Sequence, residues 1–421
     1  MLFFTRHHAL SVIVNILVPI FFFSLFLFKG SYNLVPIGLS VLSIGFVLYA
    51  WLSKRPLALP PMEKCFLFSL SCYILIFIVL LLFHQDKLRE FENVGKLCLF
   101  IPLFYLLHHY RIRLDPLMIG ILVGAVLAGV VAIYDRFYLN LNAAYAPRML
   151  QIQAGDMAMS LGLFSVVIGL YSYQIKRYPL AIFSVIATLL GMLGSFLSTA
   201  RGGWIALPVL ILMIMLIYRR NLSKTMRLAF ATLFVITLTT AVLIPKTKML
   251  HRVNEAYTEA MSYFSEFDGT TSIGARFDMW KGAILMAKEK PLFGWGAKGA
   301  LEQSKILAQQ GLIHEYVTQF HHAHNQYLDD LAKRGLVGLS ALLLVFLIPL
   351  SHFYQALKGA SPETRAVATL GLVHILSVMS YALTQAFIEH NSGNLFYFFL
   401  IAVFYSALYQ PDEKKVAVGS H

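Results

Sequence analysis

Long apolar segments, separated by short polar connections, follow one another along most of this 421-residue chain. A helix that crosses a bilayer needs about 20 mostly apolar residues. The segments that meet or approach this length lie at 9–28, 34–52, 65–83, 94–108, 117–134, 154–173, 179–198, 203–218, 227–244, 336–355, 366–388 and 395–409. Only 13% of the residues are charged, whereas soluble domains have about 25%. The pattern predicts an all-α, polytopic membrane protein with about 12 transmembrane helices, forming a single membrane domain over residues 1–421.

Basic residues concentrate in alternate connections between these segments. If the N-terminus is cytoplasmic, every predicted cytoplasmic connection is rich in Lys and Arg, as at Lys54-Arg55 and Arg219-Arg220. This arrangement follows the positive-inside rule and predicts that both termini are cytoplasmic. The net charge of +13 is then explained by anchoring in a lipid bilayer, and no nucleic acid partner is expected.

One connection, residues 245–335, is much longer than the others and joins predicted transmembrane helices 9 and 10. Long loops in compact proteins are usually functional, and the predicted topology puts this one outside the cytoplasm. Phe277, Trp280, Ile284 and Ala287 recur at helical spacing, which predicts an amphipathic helix. We expect that helix to lie on the membrane surface or over the helix bundle.

A first cluster of polar residues is the segment S-T-A-R-G-G-W at 198–204, beside the predicted outer end of a helix pair. The guanidinium group of Arg201 offers a fixed fork of donors for a phosphate. The two glycines after it would let a ligand approach the backbone closely. The alternative is an interfacial Arg that extends to water beside Trp204.

A second cluster is T-S-I-G-A-R at 271–276. Thr271 or Ser272 can cap a helix that begins here, which puts Arg276 in the first turn, where a cation opposes the helix dipole. Arg276 and the unbonded N–H groups of that turn would together form an anion site. The alternative is a solvated Arg on an amphipathic helix.

The third cluster is F-H-H-A-H-N-Q at 320–326. Asn325 is a favourable N-cap, so His324 stands at a helix start, where the positive end of the dipole disfavours imidazolium. His324 should therefore stay neutral and able to accept a proton. Three histidines in four residues could instead bind zinc, but the sequence has neither the Cys ligands nor the H-E-x-x-H pattern usual for a zinc site. A packed or merely polar group of histidines is the other alternative.

The three clusters together provide two cationic clamps for a diphosphate and one base. Glycosyl transfer from a polyprenyl diphosphate sugar needs these parts, because Arg forks can stabilise the charged leaving group and a base must reach the acceptor hydroxyl. The sequence has no D-x-D motif. A route without metal or other cofactor is therefore favoured.

The motifs resemble those of the O-antigen ligase and polymerase superfamily. His324-Asn325, followed after nine residues by G-L-V-G at 335–338, is similar to the ligase signature. The segments T-A-R-G-G-W at 199–204 and S-I-G-A-R at 272–276 resemble the two Arg motifs of the family, and P-L-F-G-W-G at 291–296 also resembles it. The likeness in motifs is confined to about 198–338.

The resemblance implies an inverting glycosyltransferase of the bacterial inner membrane whose active site faces the periplasm. The donor would be O-antigen on undecaprenyl diphosphate, and the acceptor a hydroxyl of lipid A–core. His324 would be the general base, and Arg201 and Arg276 would bind the diphosphate, with no ATP or metal. The possible supporting residues are His322, Asn325, Asp330 and Glu389, followed by Asp329, Glu315, His390 and Asn391.

Three other functions stay open. An O-antigen polymerase of the same superfamily would use nearly the same chemistry. Protein O-oligosaccharyltransferases share the motif but usually carry an added soluble C-terminal region, which is not expected here. A transporter or flippase for lipid-linked glycans would need polar residues buried within helices, and Asp156 and His374 are the few candidates.

Overall fold

The computed structural model describes residues 2–225 and 242–408, and five positions between these ranges (228, 232, 235, 236 and 239). The described part is helical and contains no β-strand. The longer helices of its first half are α1 (Leu2–Ser24), α2 (Ser31–Leu52), α3 (Pro61–Phe83), α4 (Phe100–His109), α5 (Leu114–Ile133), α6 (Gln151–Gln174), α7 (Tyr178–Leu197) and α8 (Leu207–Tyr218). Those of its second half are α9 (Met249–Glu266), α10 (Ser272–Glu289), α11 (Gly296–Gln309), α12 (Gln326–Ala356), α13 (Pro362–Tyr381) and α14 (Asn391–Leu408).

Eight helices in the described ranges are long and apolar enough to cross a membrane, which confirms the polytopic, all-α prediction. Each of the eight coincides with a predicted segment, and the segments 9–28 and 203–218 correspond to the shorter apolar helices Ala9–Ser24 and Gly202–Tyr218. The segment 94–108 differs from the prediction, because 3-10 turns precede the ten-residue α4. The segment 227–244 lies mostly outside the described residues.

Helices α6 and α14 are buried along nearly their whole length and form the centre of the bundle. Small residues let α6 approach α7 closely: a Cβ on Gly162 would come within 3.0 Å of the backbone nitrogen of Met192. Close backbone approach through small residues is how helices pack in lipid, where apolar side chains gain little by leaving the hydrocarbon. Outer helices expose large apolar side chains instead, among them Leu48, Leu75 and Leu212.

Residues 245–335 cover one end of the bundle, which we call the loop face, and they have a small hydrophobic core of their own. The expected helix is present as α10, and it packs against α12, over the bundle. The expected buried side was wrong in part, because Ile284 is exposed. The buried side is formed mostly by small and flexible residues, among them Ala275, Met279, Gly282, Ala283 and Met286, which allow close packing against α12.

Candidate functional site

Arg201 stands in a tight turn between α7 and α8, on the loop face. Thr199 has a left-handed backbone (φ 62°), and the short helix Gly202–Ile205 follows. The sequence suggested that the two glycines let a ligand approach the backbone. In the structure, other side chains of the protein fill the space beside them instead. A Cβ on Gly202 would lie 2.7 Å from Thr384 Oγ1, and one on Gly203 would lie 3.1 Å from Asp156 Oδ1. The glycines therefore let the Arg201 turn pack on α6.

The side chain of Arg201 reaches α9, where its Nη1 donates a 3.0 Å hydrogen bond to the backbone carbonyl of Arg252. Burial, and to a smaller extent the charge of Arg252, lower the pKa of Arg201, whereas Glu259 opposes this shift. Because an Arg stays protonated even when partly buried, the turn presents a half-buried positive charge. Neither Arg252 nor Glu259 was singled out in the sequence.

Arg276 lies in the first turn of α10, as the sequence predicts. Thr271 is the N-cap, and its Oγ1 accepts a 3.0 Å hydrogen bond from the Gly274 N–H. The Ile273 N–H donates to Glu259 at 2.9 Å. The prediction that unbonded N–H groups of this turn join Arg276 in an anion site is therefore wrong for these two positions. The guanidinium group itself remains the feature that can attract an anion.

The charges of the two predicted clamp residues act on each other. Burial lowers the pKa of Arg276, and the neighbouring Arg201 lowers it further, while Glu259 raises it. Two half-buried guanidinium groups that repel each other in this way are costly without an anion between them. Glu259 offsets part of that cost in the absence of ligand.

His324 has a left-handed backbone (φ 46°), which is uncommon for a residue with a Cβ. The preceding residue, Ala323, is bonded on both sides: its carbonyl accepts from Trp280 Nε1 at 3.0 Å and its N–H donates to Asp329 Oδ1 at 2.8 Å. The next residue, Asn325, caps α12 by accepting from the Tyr327 and Leu328 N–H groups, which confirms the predicted N-cap. These bonds define the direction of the His324 side chain.

The imidazole of His324 is oriented by Gln385, a buried residue that the sequence did not suggest. Its Nδ1 lies 2.6 Å from Gln385 Oε1, and Gln385 Nε2 lies 3.0 Å from His390 Nε2. Because a carbonyl oxygen can only accept, His324 carries its proton on Nδ1 and leaves Nε2 able to accept one. Burial, and then the charge of Arg276, lower the pKa of His324 to about 4. The neutral form that a base requires is therefore favoured.

The ring of His322 lies 4.3 Å from that of His324 and 5.7 Å from that of His390, measured between centroids. Burial, followed by the charge of His324, lowers the pKa of His322 to about 3. Among the residues that the structure describes, no group of three or more His, Cys, Asp and Glu side chains could hold a metal ion. The absence of a metal from the mechanism stays a prediction.

The predicted supporting acids belong to a buried group of ion pairs at the start of α12. Asp329 accepts from Lys333 at 2.6 Å, and Asp330 pairs with Arg334. Glu389 lies 3.4 Å from Lys333 Nζ and 3.5 Å from Arg334 Nη2. Burial alone would raise the pKa of Glu389, but these two cations hold it below its usual range. The acids shape the surroundings of His324 rather than touching its ring.

The two glycine motifs interlock behind this group. Gly335 has φ 62° and ψ −163°, a conformation found essentially only in Gly. At this kink the Leu336 and Val337 N–H groups donate to Pro291 and Leu292 carbonyls at 2.8 and 3.2 Å. The P-L-F-G-W-G and G-L-V-G motifs therefore join residues 245–335 to the bundle.

Three of the predicted residues lie near one another on the loop face, since the charge of Arg201 acts on Arg276 and the charge of Arg276 acts on His324. Gln385 was missed because it falls within the predicted span 366–388, whereas α13 ends at Tyr381 and the chain then turns. The signal for this turn was the segment Q-A-F-I-E-H at 385–390, which brings three polar residues into the end of an apolar segment. Glu315 lies away from these residues, exposed in the 3-10 turn Glu315–Gln319.

Comparison with known proteins identifies the family of the chain. The family model described as O-antigen ligase matches residues 186–343, the range that contains Arg201, Arg276 and His324. An uncharacterised protein of Haemophilus influenzae is 36% identical over 389 residues, 92% of this chain and 96% of that protein. The ComP-specific O-oligosaccharyltransferase of Acinetobacter baylyi is 23% identical over 301 residues, 70% of this chain and 50% of that protein. The chain is a multi-pass membrane protein that belongs to the O-antigen ligase family.

Proposed function

We propose that the protein transfers O-antigen from undecaprenyl diphosphate to a hydroxyl of lipid A–core, on the periplasmic face of the inner membrane. The observation that supports this most directly is a neutral, oriented imidazole beside a pair of half-buried guanidinium groups. Glycosyl transfer from a diphosphate needs one proton acceptor and stabilisation of a doubly charged leaving group. The family to which the chain belongs is of the same glycosyltransferase type.

In the proposed reaction, the acceptor hydroxyl oxygen attacks the anomeric carbon of the donor sugar. His324 Nε2 takes the hydroxyl proton as the new C–O bond forms. The bond between the anomeric carbon and the diphosphate oxygen breaks, and undecaprenyl diphosphate leaves with the electron pair. Because attack and departure occur on opposite sides of the carbon, its configuration inverts. Arg201 and Arg276 stabilise the charge that develops on the leaving oxygen.

Gln385 and Asn325 have positioning roles in this proposal. Gln385 holds the proton of His324 on Nδ1, so that Nε2 faces the acceptor. Asn325 caps α12 and so fixes the helix start on which His324 stands. Neither residue needs to contact the substrates.

The similarity to an O-oligosaccharyltransferase favours one second candidate, transfer of the same kind of lipid-linked glycan to a protein hydroxyl. The donor chemistry would be unchanged, since Arg201, Arg276 and His324 act on the diphosphate and on a hydroxyl. Only the acceptor differs, so an acceptor comparison separates the two functions.

The test is reconstitution of the purified protein in liposomes with an undecaprenyl diphosphate-linked glycan and lipopolysaccharide that lacks O-antigen. We expect glycan on lipid A–core, with or without a chelator, and a loss of about 10²–10⁴-fold in rate for His324→Ala. His321→Ala is the matched control, because His321 is an exposed member of the same run, and it should keep its activity. Normal transfer by His324→Ala would disprove the assignment of the base, and glycan found only on an added protein acceptor would favour the second candidate.

A further inference from the structure

We propose that a separate polar cavity on the loop face, beside Glu389, binds the saccharide of the acceptor next to the hydroxyl that is glycosylated. This inference rests on the proposed function and adds to it a site for the acceptor sugar. The cavity lies between α3, the segment 88–95 and the turn after α13. None of the three sequence clusters contributes to its wall, but Glu389 and Asn391, which line it, were among the supporting residues that the sequence suggested.

The cavity is large enough for a sugar and has a polar wall. Its volume is about 340 Å³, within the range of about 300–1,000 Å³ that is typical of small-molecule sites. Tyr73 and Phe77 of α3 provide aromatic surface on one side. The polar lining consists of Arg89, Glu90, Glu92, Asn93, Arg334, Glu389 and Asn391.

Hydrogen bonds hold the two polar walls in position. Lys96 Nζ donates to Glu92 and to Asn391 at 3.0 Å each, which ties the segment 88–95 to the start of α14. The Asn93 side chain donates to the Glu389 carbonyl, and the Asn394 side chain donates to the Asn93 carbonyl at 2.7 Å. A cavity whose polar groups are fixed before binding loses little entropy when a ligand enters.

The charges of the cavity suit a glycan better than a diphosphate. Glu90, Glu92 and Glu389 stand beside Arg89 and Arg334, and Arg334 is already paired with Asp330 and Glu389. An anion would meet more carboxylates than available cations here. Sugar hydroxyls both donate and accept, so they match a wall of carboxylates, amides and guanidinium groups.

The position of the cavity agrees with the geometry of displacement. Arg201 acts on Arg276, and Arg276 acts on His324. Gln385 then joins His324 to His390, which adjoins Glu389 at the cavity wall. The incoming hydroxyl must attack the anomeric carbon on the side opposite to the leaving diphosphate. With the diphosphate at the Arg pair, the acceptor sugar in the cavity would bring its hydroxyl from the side of Glu389, to which His324 is connected through Gln385 and His390.

The experiment uses the exposed residues Arg89 and Glu90, whose replacement disturbs no buried contact. In the liposome assay we expect Arg89→Ala combined with Glu90→Gln to raise the acceptor KM about tenfold, as for loss of a charged hydrogen bond. The donor KM and the rate at saturating acceptor should change less than about twofold. Lys87→Ala is the matched control, since Lys87 is an exposed cation of the same segment outside the cavity.

A binding measurement decides the inference even if turnover fails. Core oligosaccharide freed of lipid A should bind the full-length protein in detergent, compete with lipid A–core, and bind the double variant about tenfold more weakly. Equal binding by the variant and the native chain, or a raised donor KM instead of a raised acceptor KM, would overturn the inference. Competition by a peptide of a protein acceptor but not by the oligosaccharide would overturn it too. Failure of the native protein to transfer glycan to lipid A–core, with oligosaccharide binding retained, would instead refute the proposed function.

Discussion

At the scale of single residues, the pKa of His324 decides the pH range in which this candidate base is neutral and can accept a proton. Burial and the charge of Arg276 lower its pKa to about 4, so the neutral form persists well below the ordinary pKa of about 6.5. We expect kcat/KM to be constant from neutral pH to about 5 and to fall as the pH drops through about 4. The measurement is the pH profile of kcat/KM, which reports groups of the free enzyme. A midpoint near 6.5 would mean that the base is a solvated imidazole.

The second prediction at this scale concerns the geometry of the Arg201 side chain. Lys keeps the charge but not the planar fork, which in the proposed function would bind two phosphate oxygens beside the Arg252 carbonyl that it already contacts. We expect Arg201→Lys to lower kcat/KM by about tenfold or more, measured with the lipid-linked donor at low concentration. Arg219→Lys replaces an exposed Arg at the other end of α8 and should be close to native. Full activity of Arg201→Lys would argue against bidentate binding.

At the scale of helices, the kink within α12 couples residues 245–335 to the bundle. A Cβ at Gly335 would overlap the carbonyl group of Leu292, whereas nothing lies within 4 Å of one at Gly359, which also has a positive φ of 64°. Ala at Gly359 strains the backbone by about 1–2 kcal/mol. Ala at Gly335 strains it more, because essentially only Gly adopts this conformation, and it also forces the two segments apart. We expect a lower Tm and faster proteolysis of the loop for Gly335→Ala than for Gly359→Ala. Equal effects of the two changes would show that the interlock adds little stability.

At the scale of the whole molecule, the prediction is the direction of insertion. Single cysteines at Glu302, an exposed residue of α11, and at Ser361, the N-cap of α13, mark opposite ends of the bundle. With Cys65, Cys72 and Cys98 replaced, a membrane-impermeant maleimide should label position 302 in spheroplasts. Position 361 should be labelled only after permeabilisation. The reverse pattern would put the candidate site in the cytoplasm and exclude a periplasmic donor.

The candidate site is assembled from parts of the chain that are far apart in sequence. The turn after α7, the start of α10, the start of α12 and the turn after α13 each contribute one side chain, namely Arg201, Arg276, His324 and Gln385. Such a site depends on the bundle and on the docking of residues 245–335 together. This explains why glycines of the motifs, such as Gly202, Gly203 and Gly335, allow close packing and are not needed to bind substrate.

The sequence alone determined the features that depend on neighbouring residues. Hydropathy over about 20 residues predicted most spans, because a lipid environment requires continuous apolar helix. Asn325 and Thr271 were predicted as caps because capping joins groups two or three residues apart. Arg201, Arg276 and His324 stood out because each is a polar residue next to an apolar segment or in a helix start.

Tertiary structure alone decided which distant groups meet. No local pattern could indicate that Glu259 of α9 would accept from the Ile273 N–H, or that Asp156 and Thr384 would fill the space beside Gly202 and Gly203. The same holds for Gln385, whose hydrogen bond to His324 spans 61 residues. Contacts of this kind follow from the packing of whole helices. That packing depends on many weak interactions between distant segments, so no single segment encodes it.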